Sequence, residues 1–304
     1  MLARRLNADS HEVVVLSRTP AAAPWRTVFW DARTPGDWNQ ELEGADAVIN
    51  LTGRSVNCRY TAANRQAILT SRVKSTQVVG AAIAAAQRPP RVWLQASTAT
   101  IYSHRYEAPN DEATGILGGA EPDAPEQWRF SIDVARAWES ALAEAQTPQT
   151  RKVALRSAMT MSADRKGVFD TLLRLVRYGL GGQAGDGRQY VSWIHEEDFN
   201  RAIYWLIEQD TVTGPVNLSA PNPLPNTEFM RALRQAWGIP FGLPAPKQML
   251  EIGAVFLKTE TELILKSRRV VPKRLLETGF TFRFPTWPDA AQDLCRQWRE
   301  QSRQ

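Results

Sequence analysis

Cysteine and histidine are scarce in this chain of 304 residues, which has 2 of the first and 3 of the second. Cys58 and Cys295 stand far apart and outside any Cys-x-x-Cys spacing. That argues against a disulfide framework and a structural zinc site, and makes a reducing compartment, the cytoplasm, the default. His11, His104 and His195 stand singly, so no metal site is expected. No apolar run approaches the ~18 residues of a membrane span. Charge of one sign is not in large excess either: 37 Lys+Arg against 32 Asp+Glu leaves +5. One basic cluster, Lys266, Arg268, Arg269, Lys273 and Arg274, lacks the interleaved aromatics of a nucleic-acid surface and reads as a solvated face. What is present is a globular composition, 43% hydrophobic and 23% charged, which excludes disorder as the main state. The expected partner is a small molecule, bound by a monomer or homodimer with neither nucleic acid nor membrane attached.

Short apolar runs alternate with helical stretches. Glu12-Val-Val-Val-Leu-Ser17 suits a strand buried on both faces, followed by strands at 25–30, 46–52 and 91–97 and a further one at 152–156. Between them the spacing predicts helices over 61–86 and 126–145, and later over 169–178 and 196–208. Alternation of this kind gives an α/β fold, a Rossmann-type doubly wound parallel sheet. Residues 1–160 form the nucleotide-binding domain, 161–304 a smaller C-terminal α+β lobe, and about 190–215 packs back onto the first. Residues 217–223 read as a strand entering a proline-rich loop, and 248–277 as short helices. A doubly wound sheet opens with a strand, a glycine turn and a helix. This sequence opens on what reads as the end of that helix, so the first strand and its glycine turn are missing from it; a start placed too far downstream is expected, the alternative being a genuinely truncated protein. Gly179-Leu-Gly-Gly-Gln-Ala-Gly185 resembles a dinucleotide fingerprint but follows a helix, so it reads as a helix stop.

The carboxyl edge of such a sheet meets the cofactor. Where the second strand of the fold closes, an acidic residue favours NAD and an arginine accommodates the 2′-phosphate of NADP. Here the strand closes on Ser17-Arg18, a hydroxyl and a planar guanidinium fork. Asn50-Leu51-Thr52-Gly53 ends the next strand, offering two polar side chains and a glycine that permits close backbone approach. NADP(H) is therefore the expected cofactor, in contact with Ser17, Arg18, Asn50, Leu51, Thr52, Gly53 and Ser97. The missing glycine turn would have supplied the pyrophosphate site.

Val48-Ile-Asn-Leu-Thr-Gly53, Ala96-Ser-Thr-Ala-Thr-Ile-Tyr102, Gly181-Gly-Gln-Ala-Gly-Asp-Gly-Arg-Gln-Tyr-Val-Ser-Trp-Ile-His-Glu-Glu-Asp198, Gly214-Pro-Val-Asn-Leu-Ser-Ala-Pro-Asn-Pro223 and Val271-Pro-Lys-Arg-Leu-Leu-Glu-Thr-Gly-Phe280 are long, specific stretches spanning most of the chain. With them the sequence resembles the extended short-chain dehydrogenase/reductase superfamily. The match is to an atypical branch called epimerase-family proteins, sometimes cell-division inhibitors, which ends in a C-terminal domain of unknown function. The resemblance implies an NADP(H)-binding Rossmann domain with a smaller lobe over the cleft.

Active members of that superfamily use a Tyr-x-x-x-Lys pair on a helix and a hydroxyl at a strand end. Four residues after Tyr60, Tyr102, Tyr106, Tyr178, Tyr190 and Tyr204 stand Asn64, Tyr106, Asn110, Gly182, Ile194 and Glu208, and no lysine lies between Lys74 and Lys152. Phe130 and Val134, or Ser131 and Ala135, occupy the pair's place. What remains is Thr98, aligned with the substrate-binding hydroxyl, and Tyr102 as the candidate acid. Tyr102 needs a cation or dipole to lower its pKa from ~10. His104 is a second candidate acid or, equally, a surface loop residue. Trp193, His195 and Asn217 are expected to line the substrate pocket. The functional expectation is an NADP(H)-dependent epimerase/dehydratase-like oxidoreductase acting on a small carbonyl or hydroxyl compound. The alternative is a catalytically silent NADP(H)-binding regulatory or interaction protein.

Overall fold

The computed structural model describes residues 1–121, 125–246, 248–250 and 262–302. Its centre is a four-stranded parallel sheet in the order β3 (Ala47–Asn50), β4 (Val92–Thr98), β5 (Arg151–Ser157), β9 (Gly214–Leu218). Side chains alternate across a strand. Thus Trp93 and Ala154 face one core while Val92, Leu94, Val153 and Leu155 face another. Helices cover both faces. On the first side lie α2 (Ala62–Ala85), with Val78, Val79, Ala82 and Ile83, and Leu142 of α3 (Glu126–Glu144). On the second lie Phe199, Ala202, Ile203 and Leu206 of α5 (Glu196–Glu208), with Met1 and Leu2 beginning the short α1 (Leu2–Ala8). This is the doubly wound arrangement expected from the alternation of apolar runs.

β1 (Val14–Ser17) and β2 (Arg26–Phe29) form a separate parallel ribbon. Leu16 and Val28 pack against the same core as Val48 of β3, yet no ladder joins β1 to β3 among the described residues. Neither edge is deeply buried: all four residues of β1, and all of β3 except Asn50, remain partly accessible.

The remaining elements build a second core. It is formed by α4 (Val168–Arg177), α6 (Asn226–Trp237), a C-terminal helix over Trp287–Gln301 and two small ladders. In those ladders β6 (Met159–Met161) runs parallel to β8 (Trp193–His195), and β7 (Tyr190–Val191) runs antiparallel to β10 (Leu224–Pro225). Phe229 stacks on Trp287 at 4.0 Å and Trp193 is fully buried beside them. Burying a large apolar side chain contributes about 1.5–3 kcal/mol. Cys295 is buried in the same core, its thiol pushed up to about 12 by that burial, so it is an inert packing residue. The Gly179 turn follows α4 with positive φ, as a helix stop requires.

Two expectations change, and a third falls partly outside the described residues. The strand read at 217–223 lies earlier, at Gly214–Leu218, because its pairing with β5 ends at Ser157. Of the stretch 248–277, residues 251–261 lie outside the described residues; the rest includes two short helices, α7 (Glu262–Leu265) and α8 (Lys273–Glu277). The helix over Trp287–Gln301 is then α9. The basic cluster is not a solvated face: Lys266 is 2% exposed and the Arg268 side chain 10%, because this segment is pressed between the loop after β4 and the β7–β8 turn. Among the described residues, no helix is long and apolar enough to cross a membrane.

Candidate functional site

The carboxyl ends of β1, β3 and β4 carry the nucleotide-side residues singled out in the sequence. After β1, Ser17 Oγ accepts the Thr19 N–H at 3.2 Å, which turns the chain and leaves Arg18 exposed. The Arg18 guanidinium makes no hydrogen bond or ion pair with the described residues. After β3, buried Asn50 donates to Gln95 Oε1 at 3.0 Å and accepts the Thr52 N–H at 3.0 Å. That fixes the turn on which Leu51 and Gly53 are exposed. A Cβ at Gly53 would come within 3.1 Å of the Arg72 guanidinium, which is itself bonded to Arg54 O and Ile68 O.

At the end of β4, Ser97 and Thr98 take different roles. Thr98 is partly accessible; its hydroxyl accepts the Thr100 N–H and caps the short 3₁₀ turn Ala99–Ile101. Ser97 points inward and donates to Glu139 Oε1 at 2.6 Å. The carboxylate of Glu139, on α3, is gripped at 2.8 Å by both Nε and NH2 of Arg156 on β5. Arg156 also donates to the Tyr102 hydroxyl at 2.9 Å, and that hydroxyl donates to Asn217 Oδ1 at 2.9 Å. The Asn217 N–H closes the chain on Glu112 Oε1 at 2.8 Å. Burial opposes the charge on Arg156, but the paired carboxylate outweighs it and holds its pKa above the ordinary value. Burial raises the Tyr102 pKa despite the nearby guanidinium, and likewise raises that of the Glu112 carboxyl. Tyr102, 2% exposed with both hydroxyl contacts engaged, thus sits in a closed network with Ser97 and Asn217. The sequence reading missed Arg156, Glu139 and Glu112 as its hubs; the visible signal was an arginine at the carboxyl end of a strand, directly after its apolar run Val153-Ala-Leu155.

Neither His195 nor Trp193 joins that network. Trp193 belongs to the second core. His195 is fully buried at the start of α5, its Nδ1 accepting the Glu197 N–H at 3.1 Å. Nε2 therefore carries the proton and faces Asp293 Oδ2 at 3.2 Å. Burial lowers its pKa although Asp293, Asp198 and Glu197 act the other way. His195 backs a cleft of about 740 Å³ between α1, α5 and α9, whose walls also include Arg4, Glu196, Tyr204 and Gln301. His104 is half-buried against Trp128, its Nδ1 accepting the Ser267 N–H at 2.7 Å, and burial lowers its pKa. It is therefore an interface residue of the C-terminal segment. No cluster of three potential metal ligands occurs among the described residues.

A parallel sheet covered on both faces, with polar side chains gathered at its carboxyl edge and a second lobe alongside, defines a Rossmann-type α/β protein. The NAD dependent epimerase/dehydratase family matches residues 1–219, and a domain of unknown function, DUF1731, matches 245–294. The chain belongs to that epimerase family, as its motifs imply. It is 33% identical to the epimerase family protein SDR39U1 of Bos taurus over 93% of this chain and 91% of the relative. It is 29% identical to the epimerase family protein YfhF of Bacillus subtilis, over 92% and 88%. Among solved structures, human SDR39U1 (isoform 2) with NADPH superposes with a TM-score of 0.84 at 28% identity, covering 97% of this chain and 94% of the other.

Proposed function

We propose that this chain binds NADP(H) along the carboxyl ends of β1, β3 and β4 and is an oxidoreductase of the epimerase type acting on a small carbonyl or hydroxyl compound. The carrying observation is Arg18: an exposed guanidinium at the end of β1, without a partner among the described residues, where an adenosine 2′-phosphate is expected. A related protein of the same fold is described with NADPH, which supports the choice of nucleotide. The donor set fits the group. Arg18 and Ser17 would hold the 2′-phosphate, while Asn50 shapes a turn whose glycine lets a flat or anionic group approach the backbone. When bound, the cofactor supplies hydride. Thr98 offers a partly accessible hydroxyl to hold and orient the substrate oxygen, and Tyr102 supports that strand end from behind through Arg156 and Asn217. Two free thiols, Cys58 and Cys295, support a reducing compartment such as the cytoplasm.

Calorimetric titration with NADPH and NADH tests this reading. NADPH is expected to bind more tightly, and Arg18→Ala should weaken it roughly 10–100-fold, the worth of a lost charge-assisted contact, while NADH affinity stays put. Absence of binding by either nucleotide overturns the reading. Binding without turnover over a panel of aldehydes, ketones and sugar nucleotides would select the silent, regulatory alternative.

A further inference from the structure

The helix α3 lacks the lysine that the superfamily's chemistry uses, yet a buried ammonium lies at the carboxyl end of β4. Lys266 belongs to the C-terminal segment, 166 residues away from Thr100, and its Nζ donates to the Thr100 carbonyl at 2.8 Å. Only 2% of the residue is exposed. Two of the three N–H bonds of Nζ find no acceptor at hydrogen-bond distance among the described residues, and the nearest carboxylate oxygen, Glu262 Oε1, is 4.0 Å away. The site is built rather than incidental. Glu262 lies one helical turn before Lys266 and accepts from Ser131 Oγ at 2.5 Å. Ser131 is one of the two α3 positions where the missing pair would begin. Arg268 Nε donates to Thr100 Oγ1 at 3.1 Å, and Thr100 in turn caps onto Thr98. The segment is stitched down on either side by Ser267 to His104 and by Val271 to Asn110. Thr98, Thr100 and Ser131 are partly accessible, so the ammonium lies one layer beneath the surface a substrate would meet.

We propose that Lys266 is the proton-carrying group of the reaction site, the C-terminal segment supplying the ammonium that α3 does not carry. The proposal rests on the NADP(H) oxidoreductase reading. In the reducing direction the substrate carbon receives hydride, the carbonyl C=O becomes C–O–H, and the oxygen takes its proton from a bridging water that is reprotonated by Nζ. The ammonium is left as a neutral amine and regains a proton from solvent. Burial, with Arg268 nearby, lowers the Lys266 pKa to about 8, while Glu262 and Glu121 act to raise it. His104, which also faces this segment and has Asp186 nearby, is shifted toward its neutral form. A proton donor of this kind is charged below pH 8 and spent above it, so reduction should fall as pH rises through that value.

The test uses the full chain with ¹³C-labelled lysine, the Lys266 signal being the one that Lys266→Arg removes. It is expected to titrate near 8, well below ordinary lysines, and to shift when NADPH saturates the protein. Circular dichroism checks that Lys266→Arg folds. That variant should keep NADPH affinity and, with any carbonyl compound the wild type reduces, lose roughly 10²–10⁴-fold in turnover, the usual contribution of a general acid. If NADPH binds by calorimetry but the Lys266 signal does not respond, Lys266 is an anchor of the segment and the proposal falls while the cofactor reading stands. If turnover survives in Lys266→Arg, the proposal falls too. If NADPH does not bind, both fall together.

Discussion

The two halves of the carboxyl edge are built on opposite principles. At the ends of β4 and β5, polar side chains are buried or half-buried and answer one another: Ser97, Glu139, Arg156, Tyr102, Asn217 and Glu112 form one continuous chain of hydrogen bonds. At the ends of β1 and β3, Arg18, Leu51 and Gly53 stand in solvent, while Asn50 and the Ser17 hydroxyl are tied down. A closed network rigidifies a site whether or not ligand is present. An open one gains its partners only on binding. Substitutions in the first region should therefore appear in stability, and substitutions in the second in affinity.

The largest effect is expected at Arg156. Its side chain is 8% exposed and that of Glu139 19%, so Arg156→Met leaves a largely buried carboxylate without its cation, held by the Ser97 hydroxyl alone among the described donors, and the Tyr102 hydroxyl without its guanidinium. Breaking a buried pair from one side costs about 3–5 kcal/mol. Urea denaturation should show that loss as a lower midpoint with an unchanged slope. A loss below about 1 kcal/mol, the worth of a surface pair, would mean the network is not what holds β4, β5 and α3 together.

Tyr102→Phe sharpens the same point with a smaller change. It removes one hydroxyl that accepts from Arg156 and donates to Asn217, while the ring keeps its place under the Arg156 guanidinium at 5.0 Å. Leaving two buried partners unanswered should cost about 1–3 kcal/mol. NADPH affinity, measured by calorimetry, should stay unchanged. A fall in affinity with stability intact would instead place Tyr102 against the ligand.

This contrast explains what the sequence could and could not disclose. The sheet and its helices were legible because each strand is a short apolar run and each helix carries its own spacing, both local properties. The placement of Ser17, Arg18 and Asn50 at strand ends was legible because a strand end is a position along the chain. The Arg156 network was not: Arg156 and Glu139 are 17 residues apart, but Tyr102 and Asn217 are separated by 115, and no local pattern links them. Lys266 was misread for the same reason. Five basic residues within nine positions look like a solvated face until the loop after β4 is folded over them. His195 was itself expected to line the substrate pocket, yet its Nε2 is turned to Asp293, nearly a hundred residues later in α9.

The smallest stability effect, and the one that most cleanly separates the two regions, is expected at Arg18. No hydrogen bond or ion pair holds its guanidinium to the described residues, so Arg18→Ala should alter unfolding free energy by no more than about 0.5 kcal/mol, the usual range for an exposed side chain. In ligand-free protein the melting curves of wild type and variant should superimpose. With NADPH added they should separate, since a ligand bound only to the folded state stabilises it by about 2.7 kcal/mol at a concentration 100 times its Kd. A variant with tenfold weaker affinity would lose about half of that gain at the same concentration, and one with hundredfold weaker affinity most of it. A melting point that drops without ligand would show that Arg18 already has a structural partner, and the division between a self-completed end and a ligand-completed end would no longer hold.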